Sequence, residues 1–190
     1  MLVPPSRAPY LWAMQTTLTI AAALLLTLGL MLGAVSAQAQ GAAPARPAAP
    51  KSVGKFDNWQ AATHTEGGSL VCYAFTRATQ SAPAMPGRGD VVLTVTHRTG
   101  ARDAVAITAG FAYPPSAEVQ VAVDPAQFQF YTANRSAFSR DGKAAVAAFG
   151  RGRQAVAKSP APRNALVTDT FSLRGFSQAY AAINKACPAK

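Results

Sequence analysis

The chain has 190 residues and a formal net charge of +10 at pH 7, from 18 Lys and Arg against 8 Asp and Glu. With two histidines and two cysteines it has few ligands for a zinc site, and no His/Cys pair has ligand spacing. A surface this basic attracts anions, such as phospholipid head groups, lipopolysaccharide, acidic glycans or nucleic acid.

The N-terminus has the pattern of a cleavable signal peptide. An apolar run extends from Leu18 to Val35, and Ala37-Gln38-Ala39 fits the small-x-small motif of a signal peptidase site. The run is about 18 residues long, at the lower limit for a spanning helix, and no Lys or Arg cluster follows it as a stop-transfer signal. We therefore expect a signal peptide over residues 1–39, starting at Met1 or Met14; a membrane anchor is the alternative.

Residues 40–55 are rich in Ala and Pro and lack an apolar period, which predicts a flexible linker. The folded part is then residues 56–190, about 135 residues that form one domain with a single core. Arg7 is the one charged residue before the cleavage site, so the mature chain has 17 Lys and Arg against 8 Asp and Glu, a net charge of +9.

Short segments of strand character follow one another along the folded part. Residues 57–64 are expected to form a strand with Trp59 toward the core, and residues 69–77 are apolar on both faces, as in a central strand. The same kind of pattern continues, with turn signals between the segments, at 90–98, 103–111, 118–123, 127–131, 153–158 and 166–173.

Two segments have helical character. Residues 139–149 are Ala-rich and predict a short helix capped by Ser139, and the last segment, residues 176–187, carries one apolar stripe at helical spacing. Many short strands separated by turns about ten residues apart favour a β-sandwich or barrel, with the two helices over an end or edge.

Arg88-Gly89-Asp90 lies in the loop before the strand predicted at residues 90–98. Some secreted proteins use this tripeptide to bind animal cell-surface receptors. Gly87 and Gly89 also permit the positive φ angles of a tight turn. We interpret the tripeptide as a turn, with Asp90 as the first strand residue, and receptor binding is the alternative hypothesis.

The basic residues cluster between residues 135 and 163, where Asp141 is the only opposing charge. They have no aromatic interleaving, so nucleic acid is not the expected partner. They indicate either a surface for an anionic partner or a solvated basic face that keeps the protein soluble. The cluster consists of Arg135, Arg140, Lys143, Arg151, Arg153, Lys158 and Arg163.

The two cysteines, Cys72 and Cys187, are expected to form a disulfide, because an exported chain meets an oxidising compartment. Two free buried thiols are the alternative. The chain has no G-x-S-x-G motif, paired-carboxylate motif or phosphate-binding glycine loop, so we expect no enzyme activity, no catalytic residue, no metal and no cofactor.

Asp169 shares a strand face with Val167 and Phe171, so its carboxylate needs hydrogen-bond partners if it is buried. We favour a structural acceptor for backbone or hydroxyl donors. The alternative is a partner for an arginine.

Two stretches, FDNWQA with VCYAF and DTFSLRGFSQAYAAINKAC, resemble the invasion-associated locus B family of exported proteins from Gram-negative, mainly alphaproteobacterial, cells. The resemblance covers Phe56 to Cys187 and implies an immunoglobulin-like β-sandwich with helical additions. Cys72 and Cys187 match family cysteines, whereas a further cysteine pair found in some members is missing here. No catalytic residues come with the resemblance.

The expected function is therefore that of a non-enzymatic exported envelope protein, a binding or accessory module in the periplasm or at the outer membrane. Its expected partner is an anionic envelope component or an envelope protein, and the mature chain is expected to have no transmembrane segment. One alternative is a surface-exposed adhesin or invasion factor that contacts host cells, and another is a small-ligand binder.

Overall fold

The computed structural model describes residues 49–189, and the predicted signal peptide lies outside these described residues. Two helices, α1 (Gly142–Phe149) and α2 (Phe176–Ala186), accompany the strands, and neither is long and apolar enough to cross a membrane. The described strands are β1 (Lys51–Phe56), β2 (Trp59–Glu66), β3 (Ser69–Arg77), β4 (Gln80–Ala82), β5 (Val92–Arg98), β6 (Ala101–Thr108), β7 (Glu118–Val123), β8 (Ala126–Ala133), β9 (Ser136–Ser139), β10 (Gln154–Ala161) and β11 (Ala165–Ser172).

The strands pair antiparallel in one sheet of order β1-β2-β3-β5-β6-β9-β8-β7-β10-β11-β4. This sheet folds over on itself, because β11 also contacts β3 and the backbone N–H of Thr79 donates to the carbonyl of Thr170 at 2.8 Å. The Trp59 Nε1 donates to the carbonyl of Ser172 at 3.0 Å and so joins β2 to the end of β11. The predicted mainly β fold with a mid-chain and a C-terminal helix is confirmed, and its two facing layers suit an immunoglobulin-like sandwich.

A single core fills the space between the two layers and the helices. Its centre is an aromatic cluster in which the ring of Phe176 lies 4.9 Å from that of Trp59 and 5.5 Å from that of Phe149, both edge-on. This geometry suits the quadrupoles of aromatic rings. The cluster fixes α2 against β2 and brings α1 to the same place.

The linker prediction for residues 40–55 is wrong at its C-terminal end, since Lys51–Phe56 form β1. This strand pairs with β2 along its length, α2 packs against it, and Phe56 contacts the core. β1 is an edge strand with mostly exposed side chains, so it has no apolar period that the sequence could show. The rest of the predicted linker, residues 40–48, lies outside the described residues.

The predicted cap of the first helix is also wrong. Ser139 ends β9, a short strand between β6 and β8, and α1 begins only at Gly142. Asp141 caps the helix, because its Oδ1 accepts from the backbone N–H of Ala144 at 2.9 Å. The hydroxyl of Ser139 accepts from the N–H of Asp141 at 3.2 Å and so orients the capping residue.

Candidate binding surface

The seven basic residues singled out in the sequence are all exposed, but they do not form one compact patch. Arg153 and Arg163 lie at opposite ends of the β10–β11 hairpin, roughly 25 Å apart at the rise of a β-strand. Lys158 lies between them on β10, while Lys143 is on α1 and Arg151 in the turn that follows it. The positive charge therefore surrounds β10 and α1 instead of concentrating at one point.

Two of the seven residues have a partner. Arg140 Nη2 lies 3.0 Å from Glu118 Oε1, with its guanidinium 5.5 Å from the ring centre of Tyr131. Arg135 Nη2 donates to the carbonyl of Gly110 at 2.7 Å.

The other five basic residues carry unpaired charge. No carboxylate of residues 49–189 lies within 4.0 Å of their side-chain nitrogens, and the salt bridges of the described residues join other arginines to Asp57, Glu66, Asp90, Glu118 and Asp169. Their charge is thus screened by solvent ions alone and remains available to an anionic partner. The five are Lys143, Arg151, Arg153, Lys158 and Arg163.

Arg88 and Asp169 form a buried bidentate ion pair. Arg88 Nη1 and Nη2 donate to the two carboxylate oxygens of Asp169 at 2.8 Å each, and the side chains are 7% and 0% exposed. Arg88 Nε donates to the carbonyl of Ala109 at 2.7 Å, and the guanidinium lies 4.9 Å from the ring centre of Phe111. The Ser81 hydroxyl donates to Asp169 Oδ1 at 2.6 Å. The pair is therefore well supplied with partners, as a buried ion pair must be.

The partner of Asp169 is thus the arginine that we held as the alternative, and the favoured interpretation was incomplete. A hydroxyl does donate to Asp169, but the bidentate contact with Arg88 supplies two of its three side-chain hydrogen bonds. The carboxylate is buried in β11, where a cation is needed to offset its charge.

The same contact makes the receptor-binding hypothesis for Arg88-Gly89-Asp90 wrong in this structure. A receptor needs an accessible guanidinium, and that of Arg88 is buried inside the protein. The N–H of Gly89 donates to the carbonyl of Gly110 at 3.2 Å, which fixes the loop against the sheet. Asp90 is 71% exposed, pairs with Arg77 at 3.3 Å, and lies two residues before β5 and not at its first position.

His97 is fully buried in a polar network between β5, β6 and α2. Its Nδ1 accepts from the backbone N–H of Asp103 at 3.2 Å and its Nε2 lies 3.1 Å from Asn184 Oδ1, so the neutral ring protonated at Nε2 satisfies both contacts. Tyr180 donates its hydroxyl to Asp103 Oδ1 at 2.7 Å. Burial lowers the pKa of His97, and the nearby charge of Arg102 acts in the same direction.

Acidification below neutral pH should destabilise the protein through His97. Its pKa is held below the ordinary value of 6.5 in the folded state, so between these two values the unfolded chain binds more protons. Its contribution is therefore fully present above about pH 6.5 and is lost as the pH falls below that value. Urea unfolding between pH 7.5 and 5 should show this loss, and His97→Gln should reduce the slope. Equal slopes for the variant and the original chain would contradict the assignment.

Cys72 in β3 and Cys187 directly after α2 form the predicted disulfide, with 6.1 Å between their Cα atoms. The bond ties the end of the last helix to β3, which pairs with β2 on one side and β5 on the other. His64, the second histidine, lies on β2 with its Nε2 2.8 Å from Glu66 Oε1. Within residues 49–189, no three His, Cys, Asp or Glu side chains are grouped so that they could hold a metal ion.

One comparison with known proteins identifies a family, and a second finds a similar fold. The family model described as Invasion associated locus B (IalB) protein matches residues 59–184. A crystal structure of invasion associated protein B from Bartonella henselae is similar, with a TM-score of 0.52, over 73% of this chain and 97% of that chain. Its sequence identity of 18% means that this likeness shows the fold alone. No curated protein matches the chain.

Proposed function

The chain belongs to the invasion-associated locus B family, and we propose that it is an exported, non-enzymatic protein of the cell envelope. In this proposal it acts as a binding or accessory module in the periplasm or at the outer membrane, after removal of a signal peptide. The disulfide is consistent with such a place, because disulfides form and persist in oxidising compartments.

The observation that carries the proposal is the unpaired positive charge around β10 and α1. Five exposed basic side chains there have no carboxylate within 4.0 Å among the described residues, so no direct salt bridge offsets their charge. Such a field raises the local concentration of anions and speeds their encounter with the protein. The partner that fits is an anionic envelope component, either a phosphate-bearing lipid surface or an acidic protein.

Binding of the exported protein to vesicles with phosphatidylglycerol should be detectable at low ionic strength. It should weaken as salt is raised to 0.15 M, where the screening length falls to about 8 Å. The variant Arg151→Glu with Arg153→Glu should bind at least roughly 30-fold more weakly, since the loss of two basic residues near the surface costs about 1 kcal/mol each and the added carboxylates repel the anionic surface. Co-sedimentation with vesicles measures both effects.

The matched control is Lys51→Glu with Lys55→Glu, which makes the same change in net charge on the exposed edge strand β1. This control should bind vesicles more strongly than the Arg151 and Arg153 variant. Binding that does not respond to salt would refute the electrostatic proposal. Equal losses in the two variants would show that net charge alone matters and would refute a surface around β10 and α1.

Contact with host cells through Arg88-Gly89-Asp90 is not part of the proposal, because the guanidinium of Arg88 is buried. An adhesin role would need another surface and exposure outside the cell. Protease treatment of intact cells tests that exposure: full protection of the protein would exclude an adhesin role.

A further inference from the structure

A cleft of about 450 Å³ opens beside the disulfide, at the C-terminal end of α2. One side is Leu70, at the start of β3, and the other is the β5–β6 turn at residues 98–100 together with Arg102. Residues 186–189, which follow the last turn of α2, complete the walls. None of the basic residues around β10 and α1 contributes to this cleft.

The walls of the cleft are largely apolar although it is open to solvent. Leu70 is 45% exposed, one of only a few large apolar side chains among residues 49–189 that are this accessible. Ala186, Pro188 and the disulfide at Cys187 face the same space. A concave, mostly apolar surface with a few placed polar groups is typical of a small-molecule site.

Arg102 supplies the placed polar group. Its Nη1 donates to the carbonyl of Cys187 at 2.7 Å and its Nη2 donates to Asn184 Oδ1. Both acceptors are neutral, and no carboxylate of the described residues lies within 4.0 Å of this guanidinium. Since a guanidinium has five N–H groups, three remain free for a further acceptor. The side chain is thus held in place while its charge stays uncompensated.

Arg98, at the rim of the cleft, has less free charge to offer an anion than Arg102, because it is paired with a carboxylate. Its Nε and Nη2 donate to Glu66 at 3.0 and 3.4 Å. These hydrogen bonds and one from His64 lower the pKa of Glu66 to about 2, so Glu66 is ionised and offsets the charge of Arg98 throughout the physiological range. An anion in the cleft is therefore expected to select Arg102.

We propose that the cleft binds a small amphiphilic anion, with a phosphate monoester or carboxylate on Arg102 and a short apolar group against Leu70 and Pro188. Arg102 also caps the C-terminal end of α2 through the carbonyl of Cys187, but capping alone explains neither the apolar cleft nor the exposure of Leu70. The proposal goes beyond the electrostatic surface contact described above and uses different residues.

The disulfide is part of this site. Cys187 contributes a wall of the cleft and the carbonyl that orients Arg102. Reduction releases residues 187–189 from β3 and leaves Arg102 with one fixed acceptor fewer. The affinity for the anion should therefore depend on the oxidised state of the protein.

The test is a titration of the exported protein with octyl phosphate. Binding is measured by calorimetry and by the NMR chemical-shift changes of the residues that line the cleft. We expect saturable binding to one site, with inorganic phosphate and uncharged octyl glucoside each binding at least about tenfold more weakly. Arg102→Gln should lower the affinity at least about tenfold, because a charge-assisted hydrogen bond is lost. Arg151→Gln, the matched control, should bind octyl phosphate as the original chain does.

Leu70→Ser is a second variant that keeps Arg102 and changes an exposed side chain, so the fold is expected to persist. It should weaken binding of octyl phosphate but not of methyl phosphate. The anion could be a lipid head group or a free small molecule, and vesicles that contain phosphatidate distinguish the two. If the protein binds these vesicles and Arg102→Gln abolishes that binding, the ligand is a lipid head group. If the protein binds octyl phosphate but not the vesicles, the ligand is a free anion. Either result supports the site.

Absence of saturable binding, or equal losses in Arg102→Gln and Arg151→Gln, would overturn the proposal. Retention of full affinity after reduction of the disulfide would overturn the part assigned to Cys187. These results are independent of the salt-dependent binding of phosphatidylglycerol vesicles, which depends on Arg151 and Arg153. The two proposals can therefore fail separately.

Discussion

Asp169→Ala should lower the free energy of unfolding by about 3–5 kcal/mol, because it leaves the guanidinium of Arg88 buried without a counter-ion. Arg88 would keep its hydrogen bond to the carbonyl of Ala109 and its contact with Phe111, but neither offsets a full charge. The Ser81 hydroxyl would also lose its acceptor. Urea denaturation should show a lower midpoint with an unchanged slope.

Two matched variants separate burial from charge. Asp90→Ala breaks an ion pair whose side chains are 58% and 71% exposed, and should cost at most about 1 kcal/mol. The double variant Arg88→Leu with Asp169→Leu removes both buried charges and should recover much of the stability that Asp169→Ala loses. A loss below about 1 kcal/mol for Asp169→Ala would contradict the buried pair.

The contrast between Arg88 and Asp90 shows how a motif can mislead. The tripeptide suggested either an exposed ligand for a receptor or a turn with Asp90 as the first strand residue, and neither interpretation placed Arg88 inside the protein. The structure divides the two charged residues, with Arg88 inside against β11 and Asp90 outside against Arg77. If host-cell attachment occurs, Asp90→Glu should leave it unchanged, while changes at Arg88 should act through folding.

The longer strands were predictable because apolar and polar residues alternate along them, with the apolar residues on the buried face. The limits of β3 and β7 coincide with the predicted segments 69–77 and 118–123. The two shortest strands, β4 and β9, were missed. They have three and four residues, too few for a period, and β4 exists because it pairs with β11, about 88 residues further along the chain.

The candidate sites divide in the same way. The exposed basic residues could be predicted from the composition, and the disulfide from the two cysteines together with the signal-peptide pattern. The place of Asp169 on the same strand face as Phe171 indicated that it would need hydrogen-bond partners if buried, but its partner is 81 residues distant and the sequence could not single out Arg88. Arg102 carried no signal at all, because its role depends on where α2 ends in space.

Removal of the disulfide, by Cys72→Ala with Cys187→Ala or by reduction, should lower the free energy of unfolding by about 4–5 kcal/mol. The bond joins residues 115 apart, and a loop of that size restricts the unfolded chain strongly in the chain-entropy model. The alanine variant and the reduced chain should unfold at similar urea concentrations. A difference below about 1 kcal/mol between the oxidised and reduced forms would contradict the prediction.

A loss of this size is comparable with the whole stability of many domains, about 5–15 kcal/mol. Reduction would first free the C-terminal end of α2, while Phe176 at the start of the helix stays packed against Trp59 and Phe149. A stability that rests to this extent on one disulfide is best kept in an oxidising compartment, which is consistent with the proposed place in the envelope. Hydrogen exchange on the reduced chain should show the amides of α2 exchanging before those of β3 and β5, and simultaneous exchange would contradict this order.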